Sequence, residues 1–196
     1  MSEFNWFGLA VFSAVLLATP GPAVISLLYS GVNYGFRKSL PYLFGIITGF
    51  VFNLVVCALG AGALLEFDAV YTALKFVMLG YIFYLAYKIA TSAPLGDGGE
   101  AKPLHFFQGV LLNMLNPKAY TAALSAISQF SLVDHYAQSA FWIVIVNAAI
   151  VFVVDVSWCF SGQYLKRLFA HPKWHKWVNV SLAILMVLSV VWTYLR

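Results

Sequence analysis

The chain has 196 residues, 62% of them hydrophobic and 9% charged, with a formal net charge of +4 and a mean hydropathy of +0.86. Soluble domains carry about 45–50% apolar and about 25% charged residues, so this composition excludes a soluble globular fold. Its basic residues flank apolar runs instead of interleaving with aromatics on a polar face, which argues against a nucleic-acid partner.

The N-terminus, Met1 to Phe12, lacks the basic region and the small-residue cleavage site of a secretory signal, so the first apolar run is expected to remain as a spanning helix. That run extends from Trp6 to about Leu28 and is interrupted by Pro20, Gly21 and Pro22. A second covers about Pro41 to Leu65; after the acidic turn Glu66-Phe67-Asp68, a third covers about Val70 to Ile89. Each is close to the 20 or so residues that cross about 30 Å of hydrocarbon. Residues 91–103 hold Gly, Pro, Ser and charges without apolar periodicity, the composition of a loop. The second half repeats the plan, with runs from Val110 to Phe130 interrupted at Asn116-Pro117, from Phe141 to about Gly162, and from Val178 to Tyr194.

The expected fold is an all-α integral membrane protein with six transmembrane helices. Three helices per half is an odd number, so a second half on the same plan enters the membrane inverted. Residues 1–90 and 104–196 then form two inverted three-helix repeats, joined by a cytoplasmic linker at 91–103, and each opens with a broken helix, the first and the fourth. Lys and Arg mark cytoplasmic loops. Arg37, Lys38, Lys88, Lys102, Lys166, Arg167, Lys173 and Lys176 follow the odd-numbered helices, with Lys75 and Arg196 as exceptions, so both termini are expected outside. Trp6, Trp142 and Trp192 would line the outer interface, Trp174 and Trp177 the inner one.

Paired interruptions at corresponding positions of two halves are the sequence pointer to a transporter site. Pro20-Gly21-Pro22 removes two backbone donors, leaving carbonyls without partners in hydrocarbon. Such a break either bends the helix for packing or borders a cavity with Ala23. Asn116-Pro117-Lys118 is the second break, and Lys118 lies eight residues, about 12 Å, inside a boundary at Val110. Asp155 lies about 21 Å from an outer boundary at Phe141, and Pro20 is at a similar depth from Trp6. An ionisable residue at that depth costs about 2.5–3.5 kcal/mol on insertion scales, so Lys118 and Asp155 face a cavity or a partner. They form either a structural ion pair or a site for a zwitterion or a proton, with Asp155 the proton-coupling residue or the acceptor for a substrate amine. Asn53, Asn113 and Asn147 are either interhelical glue or ligand contacts, Asn113 being nearest a break. Gly45 with Gly49, and Ala58 with Gly62, form small-residue ridges for close helix approach.

The two cysteines, Cys57 and Cys159, sit in apolar runs without ligand spacing, and His171 and His175 flank Pro172 with no acidic neighbour. No metal or other cofactor is expected, and no HExxH motif suggests a membrane protease.

The run Ala18-Thr19-Pro20-Gly21-Pro22-Ala23, the later Gly35-Phe36-Arg37, the glycine-rich second helix and Asn116-Pro117-Lys118 together resemble the lysine exporter (LysE/RhtB) family over essentially the whole chain. Trp158 to Gln163 with Arg167-Leu168-Phe169 resembles its branch exporting cysteine and O-acetylserine. Ser39 departs from the glycine that many members carry. The resemblance implies a multi-pass protein of the bacterial inner membrane. It further implies proton-driven export of a small amino acid or derivative from the cytoplasm, with a homodimer as a possible assembly. A channel for small solutes remains the alternative.

Overall fold

The computed structural model describes residues 4–60, 67–92, 103–168 and 172–195, and every regular element among them is helical. In chain order these are α1 (Trp6–Ala18), α2 (Pro22–Tyr34), α3 (Phe36–Ala58), α4 (Asp68–Ala90), α5 (Phe106–Met114), α6 (Pro117–Phe130), α7 (Tyr136–Leu168) and α8 (Pro172–Leu195). The six apolar runs of the sequence correspond one to one with α1+α2, α3, α4, α5+α6, α7 and α8. By length and composition α3 and α7 suffice to cross a membrane, and α1 with α2 makes a third such span bent by 61°. Large apolar side chains cover the outside, with Phe7 81% and Phe107 79% exposed. An exterior of this kind suits lipid and not water.

Both breaks fall where proline requires them. Pro22 and Pro117 each open a helix, the position at which a missing N–H costs nothing. Proline alone does not break a helix here, because Pro41 sits inside the first turns of α3 without ending it. For that reason α3 starts at Phe36, five residues before the sequence expectation. Its N-terminus turns directly out of α2 through Gly35, whose φ of +79° favours glycine, and Phe36 N–H donates to Gln163 Oε1 of α7 at 2.8 Å. At the other end α3 stops at Ala58, before Gly60 with φ +82°, where Tyr136 Oη donates to Ala58 O at 2.7 Å. Gly62, Leu65, Glu66, residues 93–102 of the expected linker and His171 lie outside the described residues.

Two interhelical seams organise the packing, α3 against α5 and α2 against α7. Glycine sets both. A Cβ at Gly45 would stand 2.0 Å from Phe106 O, at Gly49 2.6 Å from Val110 O, and at Gly109 2.4 Å from Tyr42 O. In the other seam a Cβ at Gly31 would stand 2.1 Å from Cys159 O and at Gly162 2.3 Å from Leu28 O. Backbones in contact gain dispersion energy where hydrocarbon offers no hydrophobic drive. Helices α4 and α8 pair on one flank, α3 also meets α6 and α7, and α1 rests on α6 and α7.

The buried side chains form two cores. One gathers α2, the first half of α3, α4 and α8, around Leu27, Tyr42, Leu43, Leu85 and Met186. The other gathers α1, the second half of α3, α6 and the first half of α7, around Leu9, Leu54, Ala123 and Ile143.

Candidate functional site

A cleft with about 380 Å³ of empty space, including its open mouth, lies where the two cores meet and both helix breaks converge. Gly21, Ala23, Asn113, Asn116, Lys118 and Asp155 line it. Gly21 and Ala23 beside the first break, Lys118 of the second and Asp155 thus border one space. Three further residues of the expected set are elsewhere. Pro20 is exposed and faces an outer groove with Ile25, Leu28 and Trp158, Pro22 is buried at the start of α2, and half-buried Pro117 opens α6.

The first break ends α1 with several carbonyls released. Thr19 Oγ1 folds back to donate to Leu16 O at 2.7 Å, and Lys118 Nζ crosses from α6 to donate to Thr19 O. The lysine stem lies against Gly21, where a Cβ would come within 2.9 Å of Lys118 Cδ. Glycine at the N-cap of α2 also leaves that helix without a side-chain cap, and the N–H groups of Ala23 and Val24 meet no acceptor among the described residues. These are the orphan donors of a helix N-terminus, directed at a cleft that Gly21, Ala23 and Val24 all line.

The second break offers no such donors. Asn116 Oδ1 accepts from Lys118 N–H at 3.1 Å, and Asn116 O accepts from Ala119 and Tyr120 at 3.0 and 3.2 Å. Asparagine supplies its own cap, as it commonly does at an N-cap, so α6 contributes Lys118 but no open donors. The break is also riveted to α3. Asn53 Nδ2 donates to Asn113 O at 2.7 Å and Asn113 Nδ2 donates to Ile46 O at 2.8 Å. Asn53 is thus interhelical glue, Asn113 combines glue with cleft lining, and Asn147 donates to Ile143 O of its own helix at 2.9 Å.

Asp155 is 1% exposed, and its Oδ2 has no hydrogen-bond partner. Among the described residues no salt bridge joins Lys118 to Asp155, and Lys118 donates to Thr19 O, although the two groups are near enough to interact electrostatically. An acceptor so buried and unpartnered is costly unless something else meets it. Tyr42 Oη and Cys159 lie close enough to interact electrostatically with Asp155. Tyr42 donates to Ser26 Oγ at 2.8 Å, and Ser26 in turn donates to Ala23 O at 2.7 Å, which fastens the first turn of α2 beneath the cleft.

Sequence reasoning missed the apolar wall. Leu17, Ile46, Phe50, Ala119, Ala122 and Val151 complete the lining, and none carries chemistry that a motif search detects. Among the described residues no group of three metal-ligating side chains occurs, so the donor set here is one amine, one carboxyl, amides and backbone N–H.

The family model for LysE-type translocators matches residues 14–191 of this chain. The chain belongs to that family. Its curated relatives include proteins named cysteine/O-acetylserine efflux protein from Escherichia coli strain K12, Escherichia coli O9:H4 strain HS and Shigella flexneri serotype 5b. Each is 33% identical over 184 residues that cover 92% of both chains. No solved structure matches the chain. The family resemblance read from Pro20-Gly21-Pro22 and Asn116-Pro117-Lys118 is thus borne out, and this LysE-type translocator is a transporter and not an enzyme. Both breaks and every polar group of the cleft fall within the matched residues.

Proposed function

We propose that this translocator is a secondary transporter of the bacterial inner membrane that exports a small amino acid or derivative from the cytoplasm by proton antiport. The observation that carries this reading is the cleft between the two breaks, which gathers the free N–H groups of α2, the Lys118 ammonium and unpartnered Asp155 around one space. A zwitterion needs both. Its carboxylate is suited to a helix N-terminus with a nearby cation, and its ammonium to a buried carboxyl. The relatives' names favour cysteine or O-acetylserine as the kind of substrate.

In the same reading six spans form two inverted repeats, residues 1–90 and 104–196, with both termini outside. Helix packing supports it. Exchanging the halves pairs α1 with α5, α2 with α6, α3 with α7 and α4 with α8. It turns the α3–α5 seam into α7–α1 and the α2–α7 seam into α6–α3, packings that both occur. Trp6 and Trp142 meet edge to face with ring centres 5.4 Å apart, in keeping with one outer aromatic belt. Asp155 would carry the exchanged proton when substrate is absent. A homodimer is the assembly expected from the family resemblance.

Uptake of labelled amino acids into inside-out vesicles, with and without an imposed pH gradient, tests this. Saturable uptake that rises when the vesicle interior is acid supports antiport. Uptake indifferent to the gradient removes the proton from the mechanism, and single-channel currents would replace a carrier with a pore.

A further inference from the structure

We infer that the proton released by Asp155 reaches the cytoplasm through Cys159 of α7 and Ser39 of α3, along a buried relay separate from the mouth of the cleft. This inference rests on the proposal that Asp155 carries the exchanged proton. The register of two antiparallel helices sets the relay up. Asp155, Cys159 and Gln163 stand one turn apart on α7, and opposite them on α3 stand Tyr42, Ser39 and Phe36. Three rungs join the two helices. Tyr42 Oη lies near Asp155, the Cys159 thiol is within hydrogen-bond reach of the Ser39 hydroxyl, and Phe36 N–H donates to Gln163 Oε1 at 2.8 Å. Helix α2 adds a hydroxyl to each of the first two rungs: Tyr42 Oη donates to Ser26 Oγ at 2.8 Å, and Ser30 Oγ donates to Ser39 Oγ at 2.7 Å.

Interhelical glue elsewhere in this chain joins an amide to a backbone carbonyl or to another amide, as Asn53 and Asn33 do. Here hydroxyl meets hydroxyl, within a class of side-chain pairs that makes up only about 10–15% of protein hydrogen bonds. A hydroxyl or thiol both donates and accepts, so each can take a proton on its heavy atom and pass its own onward. Ser30, Ser39 and Cys159 are fully buried, which closes the relay to substrate. At its far end Ser39 Oγ donates to Gly35 O at 2.9 Å, in a part-exposed turn followed by exposed Arg37 and Lys38. In the proposed topology that turn is cytoplasmic. The groups facing Asp155 are Lys118 of α6, Tyr42 of α3 and Cys159 of α7. Lys118 lines the cleft and Tyr42 leads back to it through Ser26 and Ala23 O, whereas the thiol leads away toward the turn. On release the Asp155 O–H bond breaks as Cys159 Sγ takes the proton. The thiol's own proton passes to Ser39 Oγ, and Ser39 gives one to water at the Gly35 turn. Asp155 is left a carboxylate, the thiol and hydroxyl keep their composition, and rotation about their C–S and C–O bonds resets them.

The experiment reconstitutes the full chain in proteoliposomes with a trapped pH dye and uses labelled cysteine and O-acetylserine. It measures counterflow at equal pH, which moves no net proton, and then uptake driven by a pH gradient together with the accompanying proton flux. Ser39→Ala and Cys159→Ala should each keep counterflow within about twofold while lowering gradient-driven uptake and proton flux about tenfold or more. Ser39→Thr and Cys159→Ser, which keep a group that donates and accepts, should restore most of the loss. Size-exclusion retention shows whether each variant folds, and either alanine variant that folds is decisive. Gradient-driven uptake unchanged in a folded alanine variant, or counterflow and uptake falling in proportion, overturns the inference while leaving antiport intact. Failure of both alanine variants to fold overturns it too, since the hydroxyl and thiol are then structural. Wild type whose uptake ignores the gradient overturns antiport, and the inference with it.

Discussion

Lys118 and Asp155 face the same cleft and interact across it without a salt bridge among the described residues: the lysine donates to Thr19 O across the first helix break, and Asp155 Oδ2 is left without a hydrogen-bond partner. A structural pair would have satisfied both groups and closed the space between them. Instead the lysine ties the second broken helix to the first and Asp155 keeps an open acceptor.

Asp155→Asn should lose accumulation driven by a pH gradient, by tenfold or more, and should also slow exchange of labelled for unlabelled substrate, since the proposed site uses the same carboxyl for the proton and for the substrate ammonium. The amide keeps volume and an acceptor oxygen and cannot titrate. The sign is fixed by antiport: with an acid interior, inside-out vesicles of wild type accumulate substrate, and the variant only equilibrates it. If exchange is untouched, Asp155 couples protons without holding the substrate ammonium.

Because no ion pair is present to repair, combining Lys118→Met with Asp155→Asn should not restore transport. Lys118→Met alone should weaken substrate binding roughly tenfold to a hundredfold, the equivalent of about 1.5–3 kcal/mol for a lost charged hydrogen bond. Lys118→Arg should recover only part of this, since Gly21 packs against the lysine stem and a broader guanidinium has less room. Full transport by the double variant would exclude both residues from the site.

The breaks and the charged residues were legible in the sequence because proline and an ionisable side chain in an apolar run each violate the rules of their surroundings. The ends of α3 were not. Its start at Phe36 depends on Gln163, 127 residues away, accepting from the first N–H, a tertiary cap that no local pattern reveals. The buried reciprocal pair of Asn33 and Asn179, at 3.0 and 3.3 Å, was likewise hidden, since either amide alone looks like an ordinary polar residue near a helix end. Asn113 was read as the amide nearest a break, and it does line the cleft, but its Nδ2 is committed to Ile46 O. The apolar wall gave no signal beyond the alanine spacing on α6.

Substituting seam glycines should destabilise the fold in proportion to the backbone they would strike. Gly45→Ala and Gly31→Ala put a methyl about 2 Å from a carbonyl oxygen of the facing helix, and backbone cannot swing aside as a side chain can. Overpacking of this kind costs about 1–3 kcal/mol or more. Gly80→Ala is the control: a Cβ there meets nothing within 4 Å, so the better helix former should leave stability unchanged or raise it by about 0.5–1 kcal/mol. Thermal unfolding of the purified variants in detergent measures the contrast, and a Gly45→Ala protein as stable as Gly80→Ala would show that the α3–α5 seam can open freely.

Cysteine scanning across the start of α2 should locate the wetted part of the first break. Native Cys57 and Cys159 are buried, so they are first replaced by alanine to give a silent background. Ala23 is half-buried and lines the cleft beside the unpartnered N–H groups, whereas Ser26, one turn on, is fully buried and hydrogen-bonded to Ala23 O and Tyr42. In the proposed carrier, Ala23→Cys reacts with a membrane-impermeant thiol reagent and Ser26→Cys does not. Saturating substrate should slow the Ala23→Cys reaction severalfold, because a carboxylate seated on those donors covers the thiol. The Asp155→Asn background sharpens the test: if Asp155 holds the ammonium, protection disappears there, and if it serves only the proton, protection persists. A folded Ala23→Cys protein that stays unreactive from both faces would mean the break is packed and dry, leaving the α2 N-terminus no part in binding.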